Sequence, residues 1–249
     1  LKNRTLPSRA VAITFDDGYK DNLTNALPIL RDAGVSATFF IATGYSDGGA
    51  MFNDLVIEAM RNSNGSAIEL PGTGRRIEPG STAVERRNAI QAVLSHVKYL
   101  PPPQRQAFSE DLARANGIDP GANLMMTRDE IREASRNGIE IGAHTVSHPI
   151  LANIDDDEAE REIVDSKAQL EAVIGEPVVA FAYPNGRYGR DYDQRHAAMV
   201  EKAGFDYAVT TDWSVSTSET DSFRVPRISI GMNTGIRAAA TIFKASLAA

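Results

Sequence analysis

The run Ala10-Val11-Ala12-Ile13-Thr14-Phe15 stops abruptly at Asp16-Asp17-Gly18, and no other stretch constrains the chain as tightly. Val11, Ile13 and Phe15 are β-formers, and a short apolar run closed by Asp-Gly reads as a buried strand rather than a helix. In parallel sheets and barrels the functional groups sit just past the carboxyl ends of the strands. Two adjacent carboxylates there repel each other and favour a proton or a cation nearby. Taken alone, the pair reads equally well as an Asp-Gly turn with solvated side chains.

A second junction weighs against the plain turn. Gly138-Ile139-Glu140-Ile141-Gly142-Ala143 is another short strand, and it runs into His144-Thr145-Val146-Ser147-His148-Pro149. Two of the chain's four histidines fall here, at a strand's C-terminal end. The His-x-x-x-His spacing can turn both imidazoles toward one point, and imidazole is the commonest metal ligand. Two nitrogens and one carboxylate oxygen make a three-donor set with one position open. That is the pattern of a catalytic zinc-type site rather than a structural one.

These residues carry a family resemblance. Thr14-Phe15-Asp16-Asp17-Gly18 and His144-Thr145-Val146-Ser147-His148-Pro149 resemble the first two motifs of the polysaccharide deacetylases, the NodB-homology family. Phe181-Ala182-Tyr183-Pro184-Asn185-Gly186 is similar to a variant of the third. The resemblance runs from about Ala10 to Ile230, interrupted by a long insert. It implies a distorted (β/α)7-type barrel of parallel strands and removal of N-acetyl groups from amino sugars of a polysaccharide or oligosaccharide. It assigns Asp17, His144 and His148 to a divalent metal, Zn2+ before Co2+ or Ni2+, and Asp16 to the general base. The backbone N–H of Asn185, just after Pro184, matches the family's oxyanion donor. Tyr183, Pro184 and Trp213 are candidates to contact the sugar, since aromatic faces suit the apolar side of a pyranose. A glycan-directed member is expected in the periplasm or outside the cell rather than in the cytoplasm.

Composition narrows the other classes. At 249 residues the chain can bury a substantial core. A net charge of −7 and a pI near 5.2 argue against nucleic-acid or anionic-membrane partners. The absence of cysteine excludes disulfides and thiolate ligands. No run reaches the roughly 18 apolar residues of a membrane span. The chain starts at Leu1 rather than Met, so an upstream piece is expected to have been removed, and the lack of a signal peptide carries no information.

Along the chain, residues 21–33 read as a helix with Leu23, Leu27 and Leu30 on one side, Gly34 as its stop and Pro28 in its first turn or at a kink. Residues 35–42 follow as a strand, and the tight succession implies a parallel βαβ unit. Residues 43–126 break this rhythm. They hold a helix near 53–61, a hairpin over 67–77, a helix opened by the capping box Thr82-Ala83-Val84-Glu85, and a further helix to Asn116. This stretch reads as a mostly helical insert within one domain spanning 1–249. His96, inside it, is expected to be structural or exposed. Alternation then resumes, with a helix opened by Thr127-Arg128-Asp129-Glu130 and a long helix over 155–174. The acidic start of that helix, Asp155-Asp156-Asp157-Glu158, suits its positive end better than a calcium ion. Strands over 178–183 and 205–211, a helix over 193–203, a sixth strand over 224–230 and a closing helix over 235–247 complete the pattern.

Two departures from the family pattern stand out. Ala182 occupies the position where many members carry an arginine that orients the base, and Arg227 on the last strand is the candidate to supply that cation. No histidine follows His196, so the late histidine that protonates the leaving amine is missing; His196 itself is expected on a helix surface. Some relatives are circularly permuted and carry that motif upstream. Loss of such a segment would explain the missing histidine and a barrel one strand short, with a gap beside the first strand. Two alternatives remain beside a deacetylase. One is a hydrolase of small amides or cyclic ureides, and the other a catalytically impaired carbohydrate-binding relative. The unliganded second carboxylate argues against the latter.

Overall fold

The computed structural model describes residues 10–47, 49–119 and 124–230. In chain order its elements are β1 (Thr14–Phe15), α1 (Leu27–Asp32), β2 (Thr38–Ile41), α2 (Phe52–Arg61), β3 (Ile68–Glu69), β4 (Arg76–Ile77), α3 (Ala83–Val97), α4 (Pro102–Ala115), α5 (Arg128–Arg136), β5 (Glu140–Ala143), α6 (Asp156–Ile174), β6 (Ala180–Ala182), α7 (Gln194–Lys202) and β7 (Tyr207–Val209). The chain divides into two compact units, one of residues 1–44 with 128–249 and one of residues 45–127.

The first unit is a five-stranded sheet in the order β1-β2-β5-β6-β7, every pair parallel. With helices between the strands, this is part of a distorted (β/α) barrel. Thr38-Phe39-Phe40-Ile41 is buried at every position, the continuous apolar run expected of a strand covered on both faces. Phe39, Phe40 and Phe181 have no exposed surface, and full burial of each contributes roughly 1.5–3 kcal/mol. α6 begins at Asp155, whose carboxylate accepts from Glu158 N, and ends at Gly175 in the left-handed conformation (φ 77°). Its face Ala159, Ile163, Ser166 and Leu170 is buried.

Three expectations are corrected here. Residues 21–33 do not form one regular helix, because a π-helical turn, Asn22–Ala26, precedes α1. Pro28 sits in the first turn of α1 and donates no backbone hydrogen bond, so the chain before it is free to widen. The sixth strand shrinks to one parallel bridge, Val209 with Val225. Pro226 lacks an N–H, and Arg227 N turns aside to the Asp212 carbonyl at 3.1 Å. The first strand is shorter than the apolar run suggested, and Val11 is exposed. The expected closing helix lies outside the described residues.

The second unit packs α2, α3 and the antiparallel hairpin β3–β4 around Phe52, Val56, Met60, Ile68, Leu70, Val93 and Val97. The four-residue spacing of Val56 with Met60 and of Val93 with Val97 places each pair on one helix face. The capping box at Thr82 forms in full: Glu85 N donates to Thr82 Oγ1, and Thr82 N to the Glu85 carboxylate. Those bonds lower the Glu85 pKa to about 2. Among the described residues no helix is long and apolar enough to cross a membrane.

Candidate active site

Three strand ends build the site. β1 runs into Asp16 and Asp17, β5 into His144, and β6 into Tyr183, Pro184 and Asn185. Asp17 Oδ1 lies 3.4 Å from His144 Nε2 and 3.4 Å from His148 Nε2. Among the described residues four non-glycines have positive φ: Asp17 (74°), Thr145 (65°), His148 (55°) and Asn185 (60°). All four belong to the three motifs. Backbone held in sparsely populated regions costs about 1–3 kcal/mol per residue, and it persists only where the surroundings over-determine it.

The surroundings do so. His144 Nδ1 lies 2.7 Å from the Ala182 carbonyl, which can only accept, so Nδ1 carries a proton and Nε2 is turned toward Asp17. Between the two histidines, Val146 N and Ser147 N both donate to Glu162 Oε2 (2.7 and 2.8 Å), and Ser147 Oγ donates to Oε1 (2.6 Å). Thr145 Oγ1 donates to the His144 carbonyl and accepts from His148 N. From the β2 side, Gly44 N donates to the Val146 carbonyl at 2.8 Å. A Cβ on Gly44 would come within 2.8 Å of that same oxygen, so only glycine permits the approach.

Asp16 has a different partner. Arg227 Nη1 and Nη2 donate to its two oxygens at 2.6 and 2.7 Å. Arg227 Nη1 also reaches Thr14 Oγ1 (3.0 Å), and Nε donates to the Thr210 carbonyl (2.9 Å). One guanidinium therefore joins β1 to the chain just past β7, the two edges of the sheet. Burial by itself would raise the Asp16 pKa, but the Arg227 bonds and the nearby His144 hold it below the ordinary carboxylate value. Burial likewise works against ionised Asp17, and His144 and His148 outweigh it. His144 is desolvated, yet its bond to Asp17 and the charge of Asp16 raise its pKa.

The donor set suits a divalent ion. One carboxylate oxygen and two imidazole nitrogens lie within 4.8 Å of one another. Ligands about 2.0–2.2 Å from a tetrahedral ion are separated by roughly 3.3–3.6 Å, which both 3.4 Å distances match. Imidazole and carboxylate are donors that first-row divalent ions accept.

The family model for polysaccharide deacetylase matches residues 3–208. The chain belongs to the polysaccharide deacetylase family. Streptococcus pyogenes deacetylase PplD, solved in complex with acetate, is 21% identical with a TM-score of 0.61, over 97% of this chain and 74% of that one. IcaB from Ammonifex degensii is 16% identical with a TM-score of 0.59, over 96% and 76%. At these identities the likeness speaks for the fold. The Bacillus subtilis (strain 168) protein YxkH, which carries the family's name, is 20% identical over 222 residues, 89% of this chain and 52% of its own length. The chain thus spans about half of that curated relative.

Other expected site residues are placed differently in this member of the polysaccharide deacetylase family. The Tyr183 ring presents no face to a sugar: it is fully buried, stacked on Tyr192 at 3.7 Å, with its hydroxyl bonded to the Phe223 carbonyl. Pro184 is buried beside it. Asn185 is half-buried, its carbonyl accepting from Thr211 Oγ1. Trp213 is 53% exposed on the segment after β7. His196 is not on the surface; it is fully buried because its Nδ1 accepts from Asp193 N and closes the N-terminal cap of α7. His96 Nε2 contacts the Pro71 carbonyl within the second unit. Glu162 and Gly44 escaped the sequence reading, and Thr14 was read only as part of the first motif, not as a partner of Arg227. The one available signal was Glu162 itself, a carboxylate beside the apolar stripe of α6 and directly before Ile163.

Proposed function

We propose that this chain is a metal-dependent hydrolase that removes N-acetyl groups from amino sugars of a glycan. One observation carries the reading: Asp16 is clamped through both oxygens by Arg227 and stands outside the donor set of Asp17, His144 and His148 beside it. A structural metal site has no use for such a neighbour. Asp17 Oδ1 and the two Nε2 atoms would hold the ion, and Zn2+ is the best fit. When bound, the ion acidifies water toward a pKa of about 7 and polarises the acyl carbonyl.

The chain's own groups supply the remainder. An Asp16 oxygen takes the proton of the attacking water, and Arg227 keeps that carboxylate ionised and aimed until then. The backbone N–H of Asn185, in a turn tied to Thr211, is the donor assigned to the developing oxyanion. Trp213, exposed on the same strand-end side, favours an extended glycan over a small amide enclosed in a pocket.

The test is acetate release from N-acetylglucosamine oligomers by the Zn2+-loaded protein, with and without chelator. Release that chelation abolishes and Zn2+ restores is expected. Release unaffected by chelator would refute the metal, and no release from any N-acetylated glycan would refute the substrate class.

A further inference from the structure

The loop after β6 carries a rigid aromatic that the chemistry above leaves unused. Tyr188 is 37% exposed, although its ring is held from two directions. The Arg224 guanidinium lies 3.6 Å from the ring centroid, over one face. Tyr192 meets it at 5.5 Å in a T-shaped contact, and Tyr192 is itself buried and stacked on Tyr183. The loop's backbone is closed on itself: Gly189 N donates to the Tyr192 carbonyl, Asp191 N to the Arg187 carbonyl, and Arg187 N to the buried Asp191 carboxylate. A large exposed ring normally keeps its rotamer freedom. Here that freedom is removed before any ligand arrives, as in surfaces prepared for binding.

The loop also faces the reaction. It leaves β6 at the same strand end that carries the Ala182 carbonyl bonded to His144. Tyr188 N approaches the Asp212 carboxylate at 3.5 Å, and the Asp212 carbonyl accepts from Arg227 N, whose side chain clamps Asp16. Arg224 and Arg227 sit three residues apart on one segment. The aromatic and the base are thus tied to the same short stretch of chain.

We propose that Tyr188, backed by Arg224, is a stacking platform for a neighbouring pyranose of the glycan chain, a subsite beside the one where the acetyl group is removed. The inference rests on the glycan reading of the site. Apolar C–H groups on a sugar face complement the ring, and the guanidinium fork offers donors to hydroxyl or acyl oxygens at its edge.

Calorimetric binding of N-acetylglucosamine monomer and tetramer to the Zn2+-loaded Asp16→Asn chain, which blocks turnover, tests this. Tyr188→Ala should weaken the tetramer about tenfold, as for one aromatic contact of ~1.4 kcal/mol, and leave the monomer's affinity in place. Tyr188→Phe and Tyr188→Trp should keep tetramer affinity, and Arg224→Gln should lose part of it. In the wild type, Tyr188→Ala should raise KM for the tetramer without a matching fall in kcat. Equal weakening of monomer and tetramer, loss in the Phe variant, or no tetramer binding by the parent would each overturn the platform. Tetramer binding that depends on Tyr188 in a chain that releases no acetate would uphold the subsite and refute only the deacetylation reading.

Discussion

Arg227 and Asp16 are 211 residues apart in sequence and form a two-pronged ion pair at 2.6 and 2.7 Å. The pair does two jobs. It holds the proposed base in its charged form, and it spans the edges of the sheet where β1 and the chain after β7 face each other. A bidentate guanidinium fixes direction as well as charge, which a lysine ammonium cannot reproduce.

Arg227→Leu should therefore move the acidic limb of the kcat/KM profile to higher pH. The sign follows from the folded state: burial raises the Asp16 pKa and Arg227 lowers it, so removing Arg227 leaves the raising influence. Activity should fall on the order of 10²-fold near neutrality, with Arg227→Lys recovering charge but not aim. An acidic limb that stays in place would assign the base elsewhere.

Asp16→Asn separates base from ligand. Metal content should stay near that of the parent, because Asp17 and both histidines remain. Hydrolysis should drop by roughly 10²–10⁴-fold. Loss of metal in this variant, measured by elemental analysis, would make Asp16 a ligand and end the proposed division of labour.

Glu162 and Gly44 grip the histidine loop from opposite sides. Glu162→Ala leaves two backbone N–H groups of that loop without their acceptor, and Gly44→Ala pushes a Cβ against the Val146 carbonyl. Each should weaken Zn2+ binding by about 10–100-fold in a chelator competition. The gain in melting temperature on adding Zn2+ should shrink in parallel. A variant whose metal-free form melts lower but whose Zn2+ affinity is intact would show the grip to be structural only.

Among the described residues the group of possible metal ligands holds no histidine besides His144 and His148, and expulsion of an amine needs a proton that an activated alkoxide does not. Acetyl esters with good leaving groups should be cleaved faster than N-acetyl sugars, and the amide rate should fall more steeply with rising pH. Equal rates for the two classes would mean that some other group in the chain delivers the proton.

The strand-end motifs were legible because their chemistry is contiguous. Asp16-Asp17-Gly18 and His144 to His148 each declare a turn, a charge and a ligand type within a few residues, and the apolar runs before them announce the parallel strands. The capping box at Thr82 and the acidic start of α6 were equally local: the box forms in full, and the Asp155 carboxylate accepts from Glu158 N. What is not local was decided by packing. Arg227 was a candidate only because Ala182 stands where the family carries an arginine, and its distance to Asp16 depends on the sheet order that brings β1 and the chain after β7 to opposite edges of one guanidinium. Tyr183 and His196 were assigned to a sugar face and a helix surface, yet both are fully buried, since exposure belongs to the neighbours: Tyr192 covers one, and the cap of α7 encloses the other. Residues 224–230 had the composition of a strand, but a ladder needs donors in register, and Pro226 has none. Glu162 is the clearest case. Its place directly before Ile163 is the one local hint, and its role is decided only when the loop carrying both histidines comes down onto it with two N–H groups that require an acceptor.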